Sequence, residues 1–258
     1  MISFNKKAKK IGAALGSGGA KGMAHLGALQ AFAENGVRFD VYAGTSAGAI
    51  VGALAAKGYS PSDMRELLAG LDYKNLALSV LASGSLHSVF RALDDILGES
   101  GFSELSKPFA AIATDVETGR EAVFREGNVA RAVLASSAMP PFFRSVEIEG
   151  KRYADGAFCN AVPGDAAKDL GADFVIGVAL SPAEAYRNTS FITASGEQVS
   201  AEQKGFSRCD VLLEPDLSAY SAGDVFAGSR MYDIGYECVQ RRMPEILRLL
   251  RAKKIVFE

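Results

Sequence analysis

The sequence predicts an α/β sandwich, in which helices cover a central β-sheet. Short apolar segments that suit buried strands alternate with segments whose apolar residues recur at helical spacing. The composition fits this class, since 48% of the residues are hydrophobic and 22% are charged. A chain of 258 residues is long enough to bury a substantial core. We therefore expect one domain over residues 1–258, with its core at about 11–240.

The first part of the chain has clear element boundaries. The predicted elements are a strand at 11–15, a helix at 23–35, a strand at 41–43 and helices at 47–57 and 61–69. Gly36 and Gly58 end the first two helices, because glycine readily adopts the left-handed backbone of a helix stop. Ser60 and Pro61 suit the cap and the first position of the third helix.

The rest of the chain continues the alternation. Its predicted elements are strands at 109–114 and 122–125, a helix at 129–137, a hairpin at 145–148 and 152–154, a helix at 163–170, and strands at 174–180 and 211–213. Residues 71–100 are apolar and helical in pattern; we expect ordinary core, and the alternative is a segment that lines an acyl pocket or forms a lid. Residues 181–205 are polar, which predicts a mobile surface loop. A final helix is expected at 224–253, interrupted near Pro244.

Charge and cysteine content exclude several classes of protein. Lysine and arginine number 28 against 30 acidic residues, so the net charge of −2 gives no general attraction for nucleic acid. Residues 1–10 form a basic tail, with weak contact to a membrane surface as the alternative to a solvated tail. The apolar stretch 11–15 is too short for a signal peptide, and no segment could span a bilayer. The three scattered cysteines indicate neither disulfides nor a metal site, so we expect a cytoplasmic protein.

The segment Gly44–Gly48 joins the second predicted strand to the helix that follows it. Its sequence, Gly-Thr-Ser-Ala-Gly, has the Gly-x-Ser-x-Gly pattern of a nucleophile elbow. Such a turn holds Ser46 Oγ in the open at the positive end of the helix. The alternative is a glycine-rich turn in which Ser46 only caps the helix.

A serine nucleophile needs a base, and the chain offers few histidines. Only His25 and His87 are present, both early in the chain, whereas an α/β-hydrolase has its catalytic histidine late. Each is also compatible with a packed or capping residue. Asp155, followed by Gly156, is the other candidate. An aspartate of ordinary pKa is a weak base unless burial beside Ser46 raises that pKa, and Asp-Gly alone indicates only a turn.

The glycine-rich loop Gly16–Gly22 is a candidate oxyanion site. Between a strand and a helix, the N–H groups of Gly18 and Gly19 can point towards one negatively charged atom. The loop departs from a P-loop because Gly22 and not serine or threonine follows Lys21. It departs from Gly-x-Gly-x-x-Gly because Lys21 occupies the last glycine position. A nucleotide-binding α/β protein therefore stays only as a weak alternative.

Together these motifs resemble those of the patatin-like phospholipases, and specifically of their compact bacterial members. The likeness runs from about Ile11 to Tyr236. The matching blocks are Leu15–Gly27, Gly44–Gly48, Ala113–Gly119, Ala135–Pro140 and Asp155–Ala157. Ser17 stands where many members have glycine, and Lys21 where arginine is commoner; a backbone donor does not depend on the side chain at Ser17, and Lys21 keeps the charge.

The resemblance implies a three-layer α/β/α sandwich with a central, mostly parallel, mixed sheet. It implies a dyad of Ser46 as nucleophile and Asp155 as general base, with Gly18 and Gly19 N–H groups as the oxyanion hole. The supporting motif residues are Gly16, Ser17, Lys21, Gly22, Gly44, Gly48 and Gly156.

The implied activity is that of a serine lipid acyl hydrolase of phospholipase A, lysophospholipase or esterase type. It would act on a lipid or fatty-acyl ester through an acyl-enzyme, without metal or cofactor, in the cytoplasm or in peripheral contact with a membrane. Two alternatives stay open: an acyltransferase that uses the same dyad, and a non-catalytic lipid-binding regulatory protein on this fold.

Overall fold

The centre of the molecule is a mixed sheet, to which the described residues contribute eight strands. The computed structural model describes residues 8–69, 93–98, 100–187 and 189–257. The strands are β1 (Ile11–Leu15), β2 (Val41–Thr45), β3 (Phe109–Asp115), β4 (Glu121–Phe124), β5 (Val146–Ile148), β6 (Lys151–Asp155), β7 (Phe174–Val178), β8 (Ser190–Ile192), β9 (Gln198–Ser200) and β10 (Val211–Leu213). The strand order is β10-β7-β1-β2-β3-β6-β5, with β4 paired to β3, while β8 and β9 form a separate hairpin.

The sheet is parallel from β10 to β3 and antiparallel beyond it. Every residue of β1, β2 and β7 is buried. Such continuous apolar runs are typical of parallel strands that are covered on both faces. This arrangement confirms the predicted mostly parallel, mixed sheet.

Alternate residues of the central strands face two different apolar clusters. On β7, Phe174 and Ile176 belong to the first cluster and Val175 to the second; on β1, Leu15 belongs to the first and Ala14 to the second. Successive side chains of a strand point to opposite faces, so the sheet lies between two covering layers. The predicted three-layer sandwich is therefore confirmed.

Helices supply those covering layers. In the described ranges they include α1 (Met23–Glu34), α2 (Ala47–Lys57), α3 (Pro61–Ala69), α4 (Val129–Ser136), α5 (Gly164–Asp169), α6 (Ala183–Arg187) and α7 (Gly228–Ala252). Buried residues of α1, α2 and α7 belong to the first cluster, whereas those of α5 belong to the second. No helix in the described part of the chain is long and apolar enough to cross a membrane.

The two edges of β3 decide which residues meet at the end of β2. Ile112 of β3 pairs with both Thr45 of β2 and with β4, so β2 and β4 lie on opposite edges. Ala113 pairs with both β4 and Asp155 of β6, so β6 lies on the same edge as β2. The two strands run in opposite directions and meet end to end. Consequently Thr45 and Asp155 face consecutive residues of β3.

Residues 181–205 differ from the expected surface loop. They contain α6 and the β8–β9 hairpin. Tyr186 and Phe191 are buried. The ring of Tyr186 packs on that of Phe206, and the ring of Phe191 on that of Phe158. These aromatic contacts give a mainly polar segment a defined structure.

The last helix also differs from its prediction. It begins at Gly228, after a 3₁₀ turn at Val225–Ala227, and runs through Pro244 to Ala252. The expected interruption is wrong, because buried Met243 and Ile246 hold the chain in place on both sides of the proline. Most other predicted elements agree within two residues. The candidate lid at 71–100 falls mostly outside the described residues.

Candidate active site

Ser46 occupies a strained turn between β2 and α2. Its φ of 55° and ψ of −120° lie in a region that non-glycine residues rarely adopt. The Ser46 N–H donates a hydrogen bond of 2.8 Å to Ser136 Oγ, which helps to hold this backbone. Ser46 stands at the N-cap of α2, yet its hydroxyl makes no capping hydrogen bond. The Ser46 hydroxyl therefore does not cap the helix, which was the alternative role that the sequence allowed.

The turn requires glycine on both sides of Ser46. A Cβ atom at Gly44 would lie 2.3 Å from the Gly48 carbonyl oxygen, and one at Gly48 would lie 2.0 Å from the Leu15 carbonyl oxygen. Either contact is far inside van der Waals distance. The Gly-x-Ser-x-Gly spacing therefore lets the chain reverse tightly against the end of β1.

Asp155 ends β6 and is only 1% exposed. Its Oδ1 accepts a hydrogen bond of 2.9 Å from the Ala157 N–H, so one oxygen caps the following 3₁₀ turn. Its Oδ2 is buried and has no partner at full hydrogen-bond geometry in the described part of the chain. Burial raises the pKa of Asp155 to about 7, while the nearby Ser46 hydroxyl and the Ala157 N–H oppose the rise. The Ser46 hydroxyl thus lies beside the Asp155 carboxyl group without making a full hydrogen bond to Oδ2.

A short segment after Asp155 joins the nucleophile turn to the glycine-rich loop. Thr45 Oγ1 donates a hydrogen bond of 2.8 Å to the Asn160 carbonyl oxygen. The Ser17 N–H donates one of 2.9 Å to the Ala161 carbonyl oxygen. Ser46, Asp155 and the loop are therefore held in one hydrogen-bonded unit.

In the loop Gly16–Gly22, several N–H groups are used to fix the backbone. Gly16 N–H donates to Val178 O (2.9 Å) and Ala20 N–H to Ala222 O (2.8 Å). Among the described residues, no hydrogen bond occupies the N–H groups of Gly18 and Gly19. Gly18 is half-buried and Gly19 is exposed. These two donors are the ones available to a ligand.

Lys21 and Gly22 lie in a 3₁₀ turn that leads into α1. Lys21 is half-buried, and its N–H donates to the Gly18 carbonyl oxygen at 3.2 Å. A Cβ atom at Gly22 would lie 2.9 Å from Ala47 Cβ, the residue after Ser46. The turn thus packs closely against the start of α2.

His25 is fully buried in α1, and its Nε2 lies 2.8 Å from the Gly16 carbonyl oxygen. Burial lowers its pKa to about 4, so the ring is neutral and Nε2–H donates. Its Nδ1 has no partner among the described residues. His25 therefore anchors the glycine-rich loop to α1, a contact that agrees with a packed histidine. His87 lies outside the described residues.

Sequence reasoning missed the polar residues that support this unit. Ser136 binds the Ser46 backbone, Tyr186 OH donates to the Ser17 carbonyl oxygen at 2.7 Å, and Gln203 Nε2 donates to the Ala157 carbonyl oxygen at 2.9 Å. The sequence signal that could have indicated Ser136 is a serine at the end of a mainly apolar helix. The other two lie within residues 181–205, where a loop was expected.

Comparison with known protein families gives a match over most of the chain. The sequence model described as patatin-like phospholipase matches residues 13–168, more than half of the chain. The chain belongs to the patatin-like phospholipase family. An uncharacterized NTE family protein of Mycobacterium tuberculosis is 34% identical over 181 residues, which cover 68% of this chain and 50% of the relative. Patatin-like phospholipase domain-containing protein 7 of Rattus norvegicus is 30% identical over 203 residues, covering 74% and 15% respectively.

The chain thus spans about half the length, or less, of the curated relatives it matches. Solved structures share the fold at low sequence identity. VipD from Legionella pneumophila superposes with a TM-score of 0.63 at 14% identity, covering 92% of this chain and 67% of VipD. The ExoU–SpcU complex from Pseudomonas aeruginosa contains a chain with a TM-score of 0.51 at 17% identity, covering 93% and 52%. Patatin-like folds of this kind thus extend over nearly all of the present chain.

Proposed function

We propose that this patatin-like protein is a serine lipid acyl hydrolase of phospholipase A, lysophospholipase or esterase type. The observation that carries the proposal is a serine on a strained turn beside a buried carboxyl group whose pKa is raised to about 7. Ser46 is the nucleophile, Asp155 the general base, and the N–H groups of Gly18 and Gly19 form the oxyanion hole. Family membership supports a lipid substrate.

In the first step, Ser46 Oγ attacks the ester carbonyl carbon while Asp155 Oδ2 takes the hydroxyl proton. The new C–O bond places a negative charge on the carbonyl oxygen, which accepts hydrogen bonds from Gly18 and Gly19. Removing one such donor in comparable enzymes costs about 10² to 10³ in rate. The N-terminus of α2 adds a favourable potential at Ser46.

In the second step, Asp155 returns the proton to the leaving alcohol as the ester C–O bond breaks. The acyl group then remains on Ser46. Asp155 next takes a proton from water, whose oxygen attacks the acyl carbon, and returns that proton to Ser46 as the fatty acid leaves. Each cycle consumes one ester and one water and restores both residues.

The test is the pair Ser46→Ala and Asp155→Asn, assayed on a chromogenic fatty-acyl ester and by labelling with a fluorophosphonate. We expect Ser46→Ala to lose both hydrolysis and labelling, and Asp155→Asn to lose hydrolysis, with thermal unfolding still cooperative. Ser62→Ala, at an exposed serine, is the matched control. Hydrolysis that survives in Ser46→Ala would exclude the dyad. A wild-type protein that takes no label would favour a lipid-binding role, and acyl transfer to an added alcohol in excess of hydrolysis would favour an acyltransferase.

We further propose a cytoplasmic protein that makes peripheral contact with membrane lipid around this site. Phe142 is 70% and Phe226 82% exposed. Phe142 lies four residues after Ala138, whose carbonyl oxygen accepts a hydrogen bond from the Asp155 N–H at 3.0 Å. Phe226 lies four residues after Ala222, whose carbonyl oxygen accepts a hydrogen bond from the N–H of Ala20 in the glycine-rich loop. Both exposed rings thus belong to segments that are tied to the proposed site.

Sedimentation with phosphatidylcholine vesicles tests this contact. The double variant Phe142→Ser, Phe226→Ser should reduce the bound fraction, because each ring loses apolar area that lipid would cover. Val256→Ser is the control, since this 94% exposed residue follows α7 near the opposite, amino-terminal end of β1. Equal binding by all three proteins would contradict the proposed contact.

A further inference from the structure

We propose that Tyr186 is a positioning residue that aims the Gly18 N–H, one of the two oxyanion donors. It would act through the Ser17 carbonyl group and touch neither substrate nor the reacting atoms. This inference rests on the proposed function, because it assigns a role to Gly18 only if Ser46 carries out acyl transfer.

The geometry of one peptide bond carries the inference. Tyr186 OH donates a hydrogen bond of 2.7 Å to the Ser17 carbonyl oxygen. The Ser17–Gly18 peptide is trans, and in a trans peptide the C=O and N–H groups point in opposite directions. Holding the Ser17 oxygen on the Tyr186 side therefore fixes the Gly18 N–H on the other side.

The peptides on either side are held by other groups. The Gly16 carbonyl oxygen is bound by His25 Nε2, and the Gly18 carbonyl oxygen by the Lys21 N–H at 3.2 Å. Each of the three consecutive carbonyl groups, from Gly16 to Gly18, thus has its own partner. Tyr186 holds the peptide that carries the Gly18 N–H, so its loss would free that donor in particular.

A residue larger than glycine, which would restrict the backbone of the loop, cannot replace Gly18. A Cβ atom there would lie 2.7 Å from Leu180 Cδ1 and 2.8 Å from Leu180 Cβ, so a larger residue does not fit. Glycine leaves the backbone free to adopt many conformations. The orientation of the Ser17–Gly18 peptide must therefore be set from outside the loop, and Tyr186 supplies that restraint.

Tyr186 is itself well fixed. It is 8% exposed, and its ring lies 5.8 Å from the ring of Phe206, centroid to centroid. Burial raises the pKa of Tyr186 to about 12, and the charge of Asp155 contributes to the rise. The phenol consequently stays protonated and remains a donor at every pH at which the protein would be assayed.

The test is Tyr186→Phe, which keeps the ring and removes only the hydroxyl. We expect kcat for a fatty-acyl ester to fall by roughly 10- to 100-fold with KM within about 2-fold, because the oxyanion exists only in the transition state. Inhibition by a trifluoromethyl ketone, which forms an oxyanion on Ser46, should weaken by a similar factor. The apparent pKa of kcat/KM should stay as in the wild type, since Asp155 is untouched.

The control is Tyr236→Phe, which removes a hydroxyl that donates to Glu34 at the exposed side of α1. It should keep wild-type kcat and inhibition. Tyr186→3-fluorotyrosine retains the hydroxyl and should also keep wild-type kcat, which provides a readout if Tyr186→Phe does not fold. Unchanged kcat in folded Tyr186→Phe, or a loss in the fluorotyrosine protein equal to that of a missing hydroxyl, would overturn the inference. Failure of wild-type Ser46 to take a fluorophosphonate would instead overturn the proposed function.

Discussion

Burial gives the Asp155 carboxyl group the proton affinity that a base needs near neutral pH. An exposed aspartate has a pKa of about 3.9 and holds a proton poorly. At Asp155 the loss of solvation raises the pKa to about 7, and the nearby Ser46 hydroxyl and the Ala157 N–H limit the rise. Because Ala157 uses only Oδ1, Oδ2 is left without a partner among the described residues, and the proposed mechanism assigns to it the proton of Ser46.

This raised pKa predicts how activity depends on pH. Below the pKa the carboxyl group is protonated and cannot act as a base; above it the group is ionised and can. We therefore expect kcat/KM for a soluble fatty-acyl ester to rise with pH and to level off above a midpoint near 7, as set by burial of Asp155. A profile measured between about pH 5 and 9 checks this, since an ordinary aspartate would give a flat profile over that range.

His25→Asn is the control for that profile. His25 is already neutral above its pKa of about 4, and its contact is with a backbone carbonyl group of the glycine-rich loop. The variant should keep substantial activity and the same midpoint. A midpoint near 7 that disappears in a folded His25→Asn protein would indicate a histidine base.

At the scale of elements, a charged cluster fixes the segment that follows Asp155. Asn160 Nδ2 donates to Glu121 Oε1 and to Asp165 Oδ1, each at 2.7 Å. Lys204 Nζ lies 2.5 Å from Glu121 Oε2 and 3.1 Å from Asp165 Oδ2. The cluster thereby joins β4, the start of α5 and the 3₁₀ turn Lys204–Arg208 around Asn160, whose carbonyl oxygen holds Thr45 beside Ser46.

Without the positive charge of Lys204, the carboxylates of Glu121 and Asp165 should repel each other. We expect Lys204→Met to lower the free energy of unfolding by about 1 kcal/mol, a modest value because the Lys204 side chain is half-exposed and screened. The double variant Glu121→Gln, Lys204→Met should lose less unfolding free energy than the two single variants together. In that protein Asp165 no longer faces a second negative charge. Urea unfolding of the four proteins measures this coupling, and additive losses would contradict it.

The same scale explains what the sequence could predict. Strands such as β1 and β7 were predictable because each is a buried apolar run between turn signals, and the Ser46 turn because its glycine spacing is local. The structure of residues 181–205 was not, because it depends on contacts such as Tyr186 with Phe206 that leave no periodic pattern. Nor could sequence reveal that Tyr186 holds Ser17, since 169 positions separate the two residues. The roles of Ser46 and Asp155 remain predictions that the experiments above test.

At the scale of the molecule, the part of the chain beyond the family match completes the sandwich. The match ends at residue 168. After it, β7 pairs with β1, β10 pairs with β7, and α7 covers α1. Helix α1, which begins directly after the glycine-rich loop, is thus covered on its outer side by α7. Two glycines make this contact close: Cβ atoms at Gly27 and Gly235 would lie 1.9 Å from Tyr232 O and 2.0 Å from Ala24 O respectively.

Gly235→Ala tests whether this close approach stabilises the whole domain. Within a helix, glycine to alanine ordinarily stabilises by about 1 kcal/mol. Here the added methyl group would meet the Ala24 carbonyl oxygen, so α7 must move away from α1 and we expect a net loss of about 2 kcal/mol in unfolding free energy. Gly101→Ala, where the nearest atom to a Cβ is 3.6 Å away, should change stability little. Urea unfolding distinguishes the outcomes: a Gly235→Ala protein as stable as the wild type would mean that α7 does not need to lie so close to α1.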